Sequence, residues 1–560
     1  MFDALNRSAA DPEGRPPRPS ATIVVVRESP AGPEVLLLRR AERGDHNSGA
    51  WVFPGGLVDA GDAGCATCCD GVGEATANER LGVPRGGIDY YVAAVRECFE
   101  ECGLLFARDA SGAMVREDVV AGLDGYRAPL HRGETSLPEL CRAQGLALAL
   151  DALAYYAHWV TPLGMPKRFD TRFFVAEAPA GQAAMHDAAE TVEHRWLRPA
   201  DVLADRAAFR MLTPTLTTLE LIARHPTAAG FLAWARALRE VPTIQPRLGT
   251  GQQGRRPVTP DEPAWAEIGR LDPHGHGVAC YDIQTGVPVR LSPHLIRVTA
   301  GNGSVMTGPG TNTYLVGGGP RNEWAVIDPG PSSAAHVQAV LAAAPGPIRQ
   351  ILVTHTHTDH SPATVALKAA TQATVMGRVA LHPMWQDPSF SPDRVLEGGE
   401  RIAVDDGVTL RAIHTPGHAS NHICYLLEEE KTLFTGDHVM QLSTVVINPP
   451  DGDMRAYIAS LRELSTGEDL DWLAPGHGFL MARPRQAMEA IIAHRLRREA
   501  KVVEAMRRLG PSTVEQLLPA VYDDVPPRLH PVAMRSLQAH LLKLRDDAAA
   551  VEREAVWSLA

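Results

Sequence analysis

The 560-residue chain contains no apolar run approaching the roughly 18 residues that a membrane-crossing helix needs, so no such helix is expected. Its opening stretch, "MFDALNRSAADPEGRPPRPS", lacks the apolar core of a secretory signal, and a cytoplasmic protein is the expectation. Cysteine is scarce: 8 in 560 residues cannot form a disulfide scaffold. Cys65, Cys68 and Cys69 cluster in "CATCC", with Cys98 and Cys102 further on. Their spacing is poor for a structural zinc, and reduced thiols are expected there. A basic excess is also missing. The net charge of −12 excludes a global attraction to nucleic acid or anionic lipid, although a local basic patch is still compatible with it. No short internal repeat is present.

What the chain does have is length. It is too long for one core and predicts three or four domains. Its hydrophobic content of 45% and charged content of 21% are those of ordinary globular proteins. "ATIVVV" (21–26), "EVLLL" (34–38), "RFFVAEA" and "EHRWLRP" read as strands, and residues 92–102 as a helix. Apolar helical stretches follow near 211–224 and 227–240. A segment rich in Pro, Gly and Gln then reads as a linker or extended arm, placed at 241–285. Beyond it strands and helices alternate: "TNTYLV", "WAVID" and "QILVTH" are strands, "PATVALKAAT" is a helix opening on proline, and "HICYLL" and "TLFTGD" are further strands.

The densest chemistry lies in "ILVTHTHTDHSPA". Four donors, His355, His357, Asp359 and His360, follow one apolar strand. "HTPGHAS" adds His418, "LFTGDHV" adds Asp437 and "LAPGHGF" adds His477, each in a turn from which a rigid scaffold can aim a side chain into a shared cleft. Imidazole with carboxylate suits zinc, with iron or manganese as alternatives.

His355-x-His357-x-Asp359-His360, then His418, Asp437 and His477, resembles the metallo-β-lactamase superfamily motif in order, over about 290–490. The resemblance implies that His355, His357 and His418 hold one metal ion, that Asp359, His360 and His477 hold a second, and that Asp437 bridges them. With two metals there, Asp359 takes a catalytic role in orienting the attacking water and moving its proton, and His422 in "SNHICY" stands behind the ligands, against substrate, or as a packed core histidine. Antibiotic-hydrolysing members usually carry cysteine where Asp437 stands. The flanks "GTNTYLV", "TPGHASNH" and "PGHG" are most similar to the lactamase-β-like-2 branch, which includes a single-strand endoribonuclease and has polyketide thioesterases as close relatives. That branch carries a winged helix at its C-terminus. Here "HRLRREAKVVEAMRR" holds six Lys/Arg against two Glu, so Arg495, Arg497, Arg498 and Lys501 are candidate nucleic-acid contacts.

A second constellation lies upstream. On a helix, Glu97, Glu100 and Glu101 stand at i, i+3 and i+4, on one face, where they repel unless a cation sits among them. Arg96 to Leu104 resembles the second half of the Nudix hydrolase box, and Gly56 to Asp62 its first half with Asp for Glu, across a much longer spacer. The resemblance, closest to the peroxisomal coenzyme A diphosphatase branch, implies that Glu100 and Glu101 bind Mg²⁺ or Mn²⁺ and that Glu97 is base or ligand. Arg96 would brace the carboxylates, and Glu190 or Glu193 would supply a distal ligand.

The expected fold is multidomain, α/β and α+β: a Nudix α/β/α sandwich at 1–240, a metallo-β-lactamase αββα sandwich at 286–490 and a winged helix at 491–560. The expected function is a bifunctional metal-dependent hydrolase. It pairs a dinuclear zinc phosphodiesterase on single-stranded RNA with hydrolysis of a nucleoside diphosphate such as coenzyme A. The alternative is a zinc thioesterase on acyl-CoA or carrier-protein thioesters beside a Nudix half that regulates or only binds nucleotide.

Overall fold

A computed structural model describes residues 16–42, 48–63, 65–187, 190–442 and 444–560, so the first 15 residues lie outside the described chain. The protein divides into two compact units. One comprises residues up to 260 with 274–278; the other comprises 261–273 with 279–560.

In the first unit the strand Arg18–Ser29 pairs in parallel with Phe169–Glu177 and antiparallel with Gly32–Arg40. Thr191–Leu197 extends the sheet at one edge, and Ala154–Val160 then Thr243–Ile244 at the other. Both faces are covered, which explains why these strands read as unbroken apolar runs. Ile23, Val25, Leu36 and Leu38 face a core shared with the helix Gly87–Cys102, through Tyr91, Val95 and Phe99. Val24, Val26, Val35 and Leu37 face the opposite core, closed by the helices Thr213–Ile222 and Ala228–Ala237. The result is the expected α/β/α sandwich. Cys65 and Cys68 are joined as a disulfide, where reduced thiols were expected. The one-turn 3₁₀ helix Cys65–Cys68 brings their Cα atoms to 5.4 Å, and the remaining cysteines are free.

The second unit stacks two sheets. One has seven strands, from Pro288–Ser292 to Arg394–Val395, and the other six, from Arg401–Asp405 to Met481–Ala482. Tyr314, Ile327, Leu352, Leu410, Tyr425 and Phe434 fill the space between them. The helices Ala334–Ala343 and Thr364–Thr371 close the outer face of the first sheet, and Met454–Gly467 that of the second, giving αββα. The helix Pro484–Leu509 runs through residue 490 without a break. Its early residues Met488, Ile491 and Ile492 pack on the sandwich. Its later residues Val502, Ala505 and Met506 pack with the helices Val514–Val521 and His530–Asp546 and the hairpin Ala550–Leu559 of the winged helix.

The stretch expected as a linker carries short strands at Arg247–Gly249 and Arg256–Val258 and a helix at Trp265–Leu271. Glu267 on that helix is buried against Arg297, at 2.7 and 2.9 Å, and accepts from the Leu480 amide at 2.8 Å. Among the described residues no helix is long and apolar enough to cross a membrane.

Candidate metal centre

All seven residues of the His/Asp constellation meet at the ends of strands in the second unit. They form two groups. His355, His357 and His418 offer ligand atoms lying within 4.8 Å of one another, and so do Asp359, His360, Asp437 and His477. In the first group His357 Nδ1 lies 3.0 Å from both His355 Nε2 and His418 Nε2. In the second, Asp437 Oδ1 lies 3.3 Å from His360 Nε2 and 3.2 Å from His477 Nε2, while its Oδ2 faces His418 Nε2 at 3.7 Å. One carboxylate thus presents an oxygen to each group. Asp359 Oδ2 stands 3.4 Å from His360 Nε2 and 3.5 Å from His477 Nε2.

The far side of each ring is tied down. His360 Nδ1 is 2.9 Å from Asp328 Oδ2, His418 Nδ1 is 2.8 Å from the Val446 carbonyl and His477 Nδ1 is 3.1 Å from the Gly310 carbonyl. A proton fixed on Nδ1 leaves the Nε2 lone pair aimed inward, which is how metal-binding imidazoles are oriented. Burial, reinforced by neighbouring imidazoles, pushes His355 well below its ordinary pKa, and burial pushes His357 down to about 3. Burial also opposes charge on His360, yet Asp359, Asp437 and Asp328 together hold it well above its ordinary value. Within this cluster, buried His360 Nε2 and Asp437 Oδ1 have no hydrogen-bond partner. Orphaned buried donor atoms around a convergent N/O set are satisfied by divalent ions, so the residues fit a two-metal site. Gly476 is needed for this geometry, because a Cβ there would lie 2.7 Å from Asp437 Oδ1 and 2.8 Å from His360 Cε1.

Several supports escaped the sequence reading. Asp328, at the end of Trp324–Ile327, accepts from the Thr354 amide and hydroxyl at 2.7 and 2.8 Å as well as meeting His360. Thr311 Oγ1 donates to Asp359 Oδ2 at 3.3 Å. His438 is fully buried against Tyr457, and burial pushes it down to about 3. The only signal for Asp328 was an acidic residue closing an apolar strand beside the ligand strand. His422 is fully buried, stacked behind His355 with centroids 5.1 Å apart, and so does not reach a substrate.

In the first unit Arg96 organises the acidic helix. It donates to Asp62 at 2.7 and 3.1 Å, to Glu97 at 2.9 Å, to Glu100 at 3.2 Å and to the Leu57 carbonyl at 2.8 Å. Asp62 therefore braces Arg96, and its shortness against Glu is no obstacle to that. Gly56 admits Glu97, since a Cβ there would collide with Glu97 Oε1. Glu101 accepts from the Gly55 amide at 3.0 Å. Burial pushes Glu97 up to about 7, and burial raises Glu100 and Glu101 as well. Glu97, Glu100 and Glu101 are not gathered as tightly as the His/Asp groups, because Arg96 reaches between the first two. Yet Asp62, Glu97 and Glu100 share one guanidinium, and Glu101 is set against the like charge of Glu97, a deficit of positive charge that a hard divalent cation fits. Of the two distal candidates, Glu193 is paired with Arg39 at 3.0 Å, whereas Glu190 lies 3.7 Å from His131, itself 3.7 Å from Glu100.

The expected nucleic-acid contacts divide. Arg495 is buried, donating to the Val445 carbonyl, and Arg498 is buried against Asp524 at 2.7 Å and the Val521 carbonyl. Lys501 pairs with Asp523 at 2.6 Å. Of the four, Arg497 alone is exposed. The periodicity of a 26-residue helix caught between two cores turns Arg495 and Arg498 inward, where each must find a buried acceptor.

Known proteins match this organisation. Residues 306–477 match the family model for the metallo-beta-lactamase superfamily, residues 72–211 that for the NUDT19 Nudix domain and residues 513–557 that for the beta-lactamase associated winged helix domain. An atrochrysone carboxyl ACP thioesterase of Aspergillus chevalieri is 33% identical over 276 residues, 46% of this chain and 83% of that protein. A beta-lactamase-like protein 2 homolog of Caenorhabditis elegans is 29% identical over 46% of this chain and 86% of that protein. Among solved structures, a metallo-beta-lactamase family protein of Thermus thermophilus matches 48% of this chain and 100% of its own at 22% identity, with a TM-score of 0.41. A Nudix hydrolase of Alicyclobacillus acidocaldarius matches 40% of this chain and 97% of its own at 27% identity, with a TM-score of 0.33.

Proposed function

The chain belongs to the metallo-β-lactamase superfamily through its C-terminal half and carries a Nudix domain ahead of it, and from that premise we propose that the His/Asp centre hydrolyses a thioester with an apolar acyl group, carried on coenzyme A or a carrier protein. The observation that carries this reading is the rim of the cleft. Val305 and Met306 are exposed on the loop that ends at Gly310 and Thr311, beside His477 and Asp359. Exposed Leu442 lies against Gly308 of the same loop. Across the site, exposed Leu381, Met384 and Trp385 precede Gln386, which pairs with His357. Apolar side chains gathered at the mouth of a polar centre mark a binding surface for apolar groups. The inward arginines of the long helix point away from the RNA reading.

Two divalent ions, zinc in this reading and iron or manganese as substitutes, would be held by His355, His357 and His418, by Asp359, His360 and His477, and by Asp437 between them, and would supply acidified water and polarise the scissile carbonyl. Asp359, a quarter exposed and with His357 one of the two members that are not buried, faces the cleft, where its carboxylate would accept the proton of the attacking water. Thr311 holds that carboxylate in place. Water adds to the thioester carbonyl, the C–S bond breaks, and the acid and the thiol leave. The Nudix half, in which Glu97, Glu100 and Glu101 would hold a divalent cation, would hydrolyse the diphosphate of a coenzyme A-type nucleotide. The two halves would then act on two bonds of one class of molecule. Cytoplasmic residence fits such substrates.

The test is a screen of the full chain against acyl-CoA esters of increasing length, coenzyme A and single-stranded RNA. Thioester turnover that rises with acyl length and disappears in His355→Ala is the expected result. Cleavage of RNA far above any thioester turnover would overturn the reading.

A further inference from the structure

The Nudix site holds a feature outside its box. The short helix Arg127–His131 is pinned across the end of Gly87–Cys102: the buried Arg127 guanidinium donates to the Glu100 carbonyl at 3.1 and 3.0 Å and to the Met185 carbonyl at 2.9 Å. This anchorage places His131 between two carboxylates. Its Nδ1 stands 3.7 Å from Glu100 Oε2, and its Nε2 stands 3.7 Å from Glu190 Oε1. Glu190 is fixed in turn, because the Asp187 carboxylate accepts from the Glu190 and Thr191 amides and from the Thr191 hydroxyl. Yet His131 is half exposed, so the ring opens to solvent and not into a core.

At 3.7 Å neither contact is a hydrogen bond. Donors each about 2.1 Å from one ion stand about 3–4 Å apart, so the spacing of His131 Nδ1 from Glu100 is that of two ligands of a common ion. We propose that His131 is a nitrogen ligand of the Nudix cation, sharing it with Glu100 through Nδ1, and that Glu190, 3.7 Å from Nε2, closes to a hydrogen bond that orients the ring when the ion binds. This carboxylate–histidine–metal order is the usual outer support of a metal-bound imidazole. It gives Glu190 a positioning role in place of the ligand role first considered for it. Mg²⁺ takes oxygen ligands and keeps its waters, whereas transition ions accept imidazole, so the site is tuned toward an ion such as Mn²⁺. The inference rests on the reading that the Nudix half binds a divalent cation.

The test uses the full chain with its His/Asp centre filled by zinc, which is magnetically silent. Mn²⁺ is added and its coupling to nitrogen is read by pulsed electron paramagnetic resonance, alongside Mn²⁺ and Mg²⁺ affinities. Wild type shows nitrogen coupling. His131→Gln loses it and weakens Mn²⁺ on the order of tenfold while Mg²⁺ changes little, and Glu190→Gln keeps the coupling but also weakens Mn²⁺ on the order of tenfold. Unchanged coupling and Mn²⁺ affinity in His131→Gln overturn the inference while Glu100→Gln, by abolishing Mn²⁺ binding, still upholds the cation site. Loss of diphosphate hydrolysis in His131→Gln with Mn²⁺ binding intact also overturns it, because the ring then serves substrate. A wild type that binds no Mn²⁺ beyond the zinc-filled centre removes both readings.

Discussion

Replacing Asp328 with asparagine tests whether the candidate metal centre depends on a residue outside its two His/Asp groups. Asp328 is buried. Its Oδ1 accepts from the Thr354 amide at 2.7 Å, and its Oδ2 meets the Thr354 hydroxyl at 2.8 Å and His360 Nδ1 at 2.9 Å. An amide of the same shape has one acceptor atom. If its nitrogen takes the place of Oδ1, two N–H groups face each other at Thr354, at a cost of about 1–3 kcal/mol for the unmet buried donor. If it takes the place of Oδ2, the Thr354 hydroxyl can turn to accept, but His360 Nδ1 must then lose its proton. The ring moves that proton to Nε2 and blocks the lone pair aimed at Asp359 and Asp437. Loss of such a support costs about 10–100-fold in metal affinity, or about 1.4–2.7 kcal/mol. Zinc competition against a chelator, with circular dichroism as the folding control, should show one tightly held ion where wild type holds two. Two ions held with unchanged affinity in a folded Asp328→Asn protein would refute the tautomer argument.

Other outcomes follow from the same geometry. Gly476→Ala should cost most thioester turnover and the second metal equivalent, because the new methyl meets Asp437 Oδ1 at 2.7 Å; full activity with both metals would show that the loop yields freely. Leu442→Asp should flatten the dependence of kcat/KM on acyl length, which in wild type should rise by up to about fourfold per methylene, since each buried CH₂ contributes about 0.8 kcal/mol; an unchanged slope would remove Leu442 from the acyl surface. Glu97 should also mark the pH dependence of stability. Its folded pKa, pushed by burial up to about 7, exceeds its ordinary 4.5. The folded state therefore binds the extra proton, and its contribution is fully present below about 4.5 and is lost as pH rises through about 7. In chelator the first thermal transition should fall between those values and recover with Mg²⁺ or Mn²⁺, whereas a transition that rises with pH would contradict a carboxyl held protonated by burial.

The seven His and Asp residues of the candidate centre were legible because each sits in a turn after an apolar strand, and the chemistry of a metal needs those residue types wherever they fall. The sandwich architectures were legible from the same runs: Val24 and Ile23 point to opposite buried faces, so the strand shows no polar alternation. What escaped is whatever depends on distance across the fold. Asp328 and His360 are neighbours only because Trp324–Ile327 and Ile348–Leu352 pair in parallel, a register that no local pattern announces. His131 reaches Glu100 through the docking of Arg127 on backbone carbonyls, which leaves no residue pattern to read.

The basic helix carries the sharper lesson. A count of like charges assumes a solvated face, but Pro484–Leu509 leaves one core and enters another, so its faces are not interchangeable along its length. Arg495 and Arg498 stand at i and i+3 and both turn inward, where guanidinium groups close the joint between sandwich and winged helix by capping the Val445 and Val521 carbonyls. Burying such a group requires an acceptor or a counter-charge, and Asp524 supplies the latter to Arg498. Charge that is spent on holding two packed bodies in one helix is withdrawn from any phosphate backbone. Apart from Trp385, whose ring carries the Arg535 guanidinium at 5.0 Å, the apolar residues left exposed at the cleft mouth are then the feature of this surface that internal packing does not account for, and it is they that direct the substrate reading toward an acyl group.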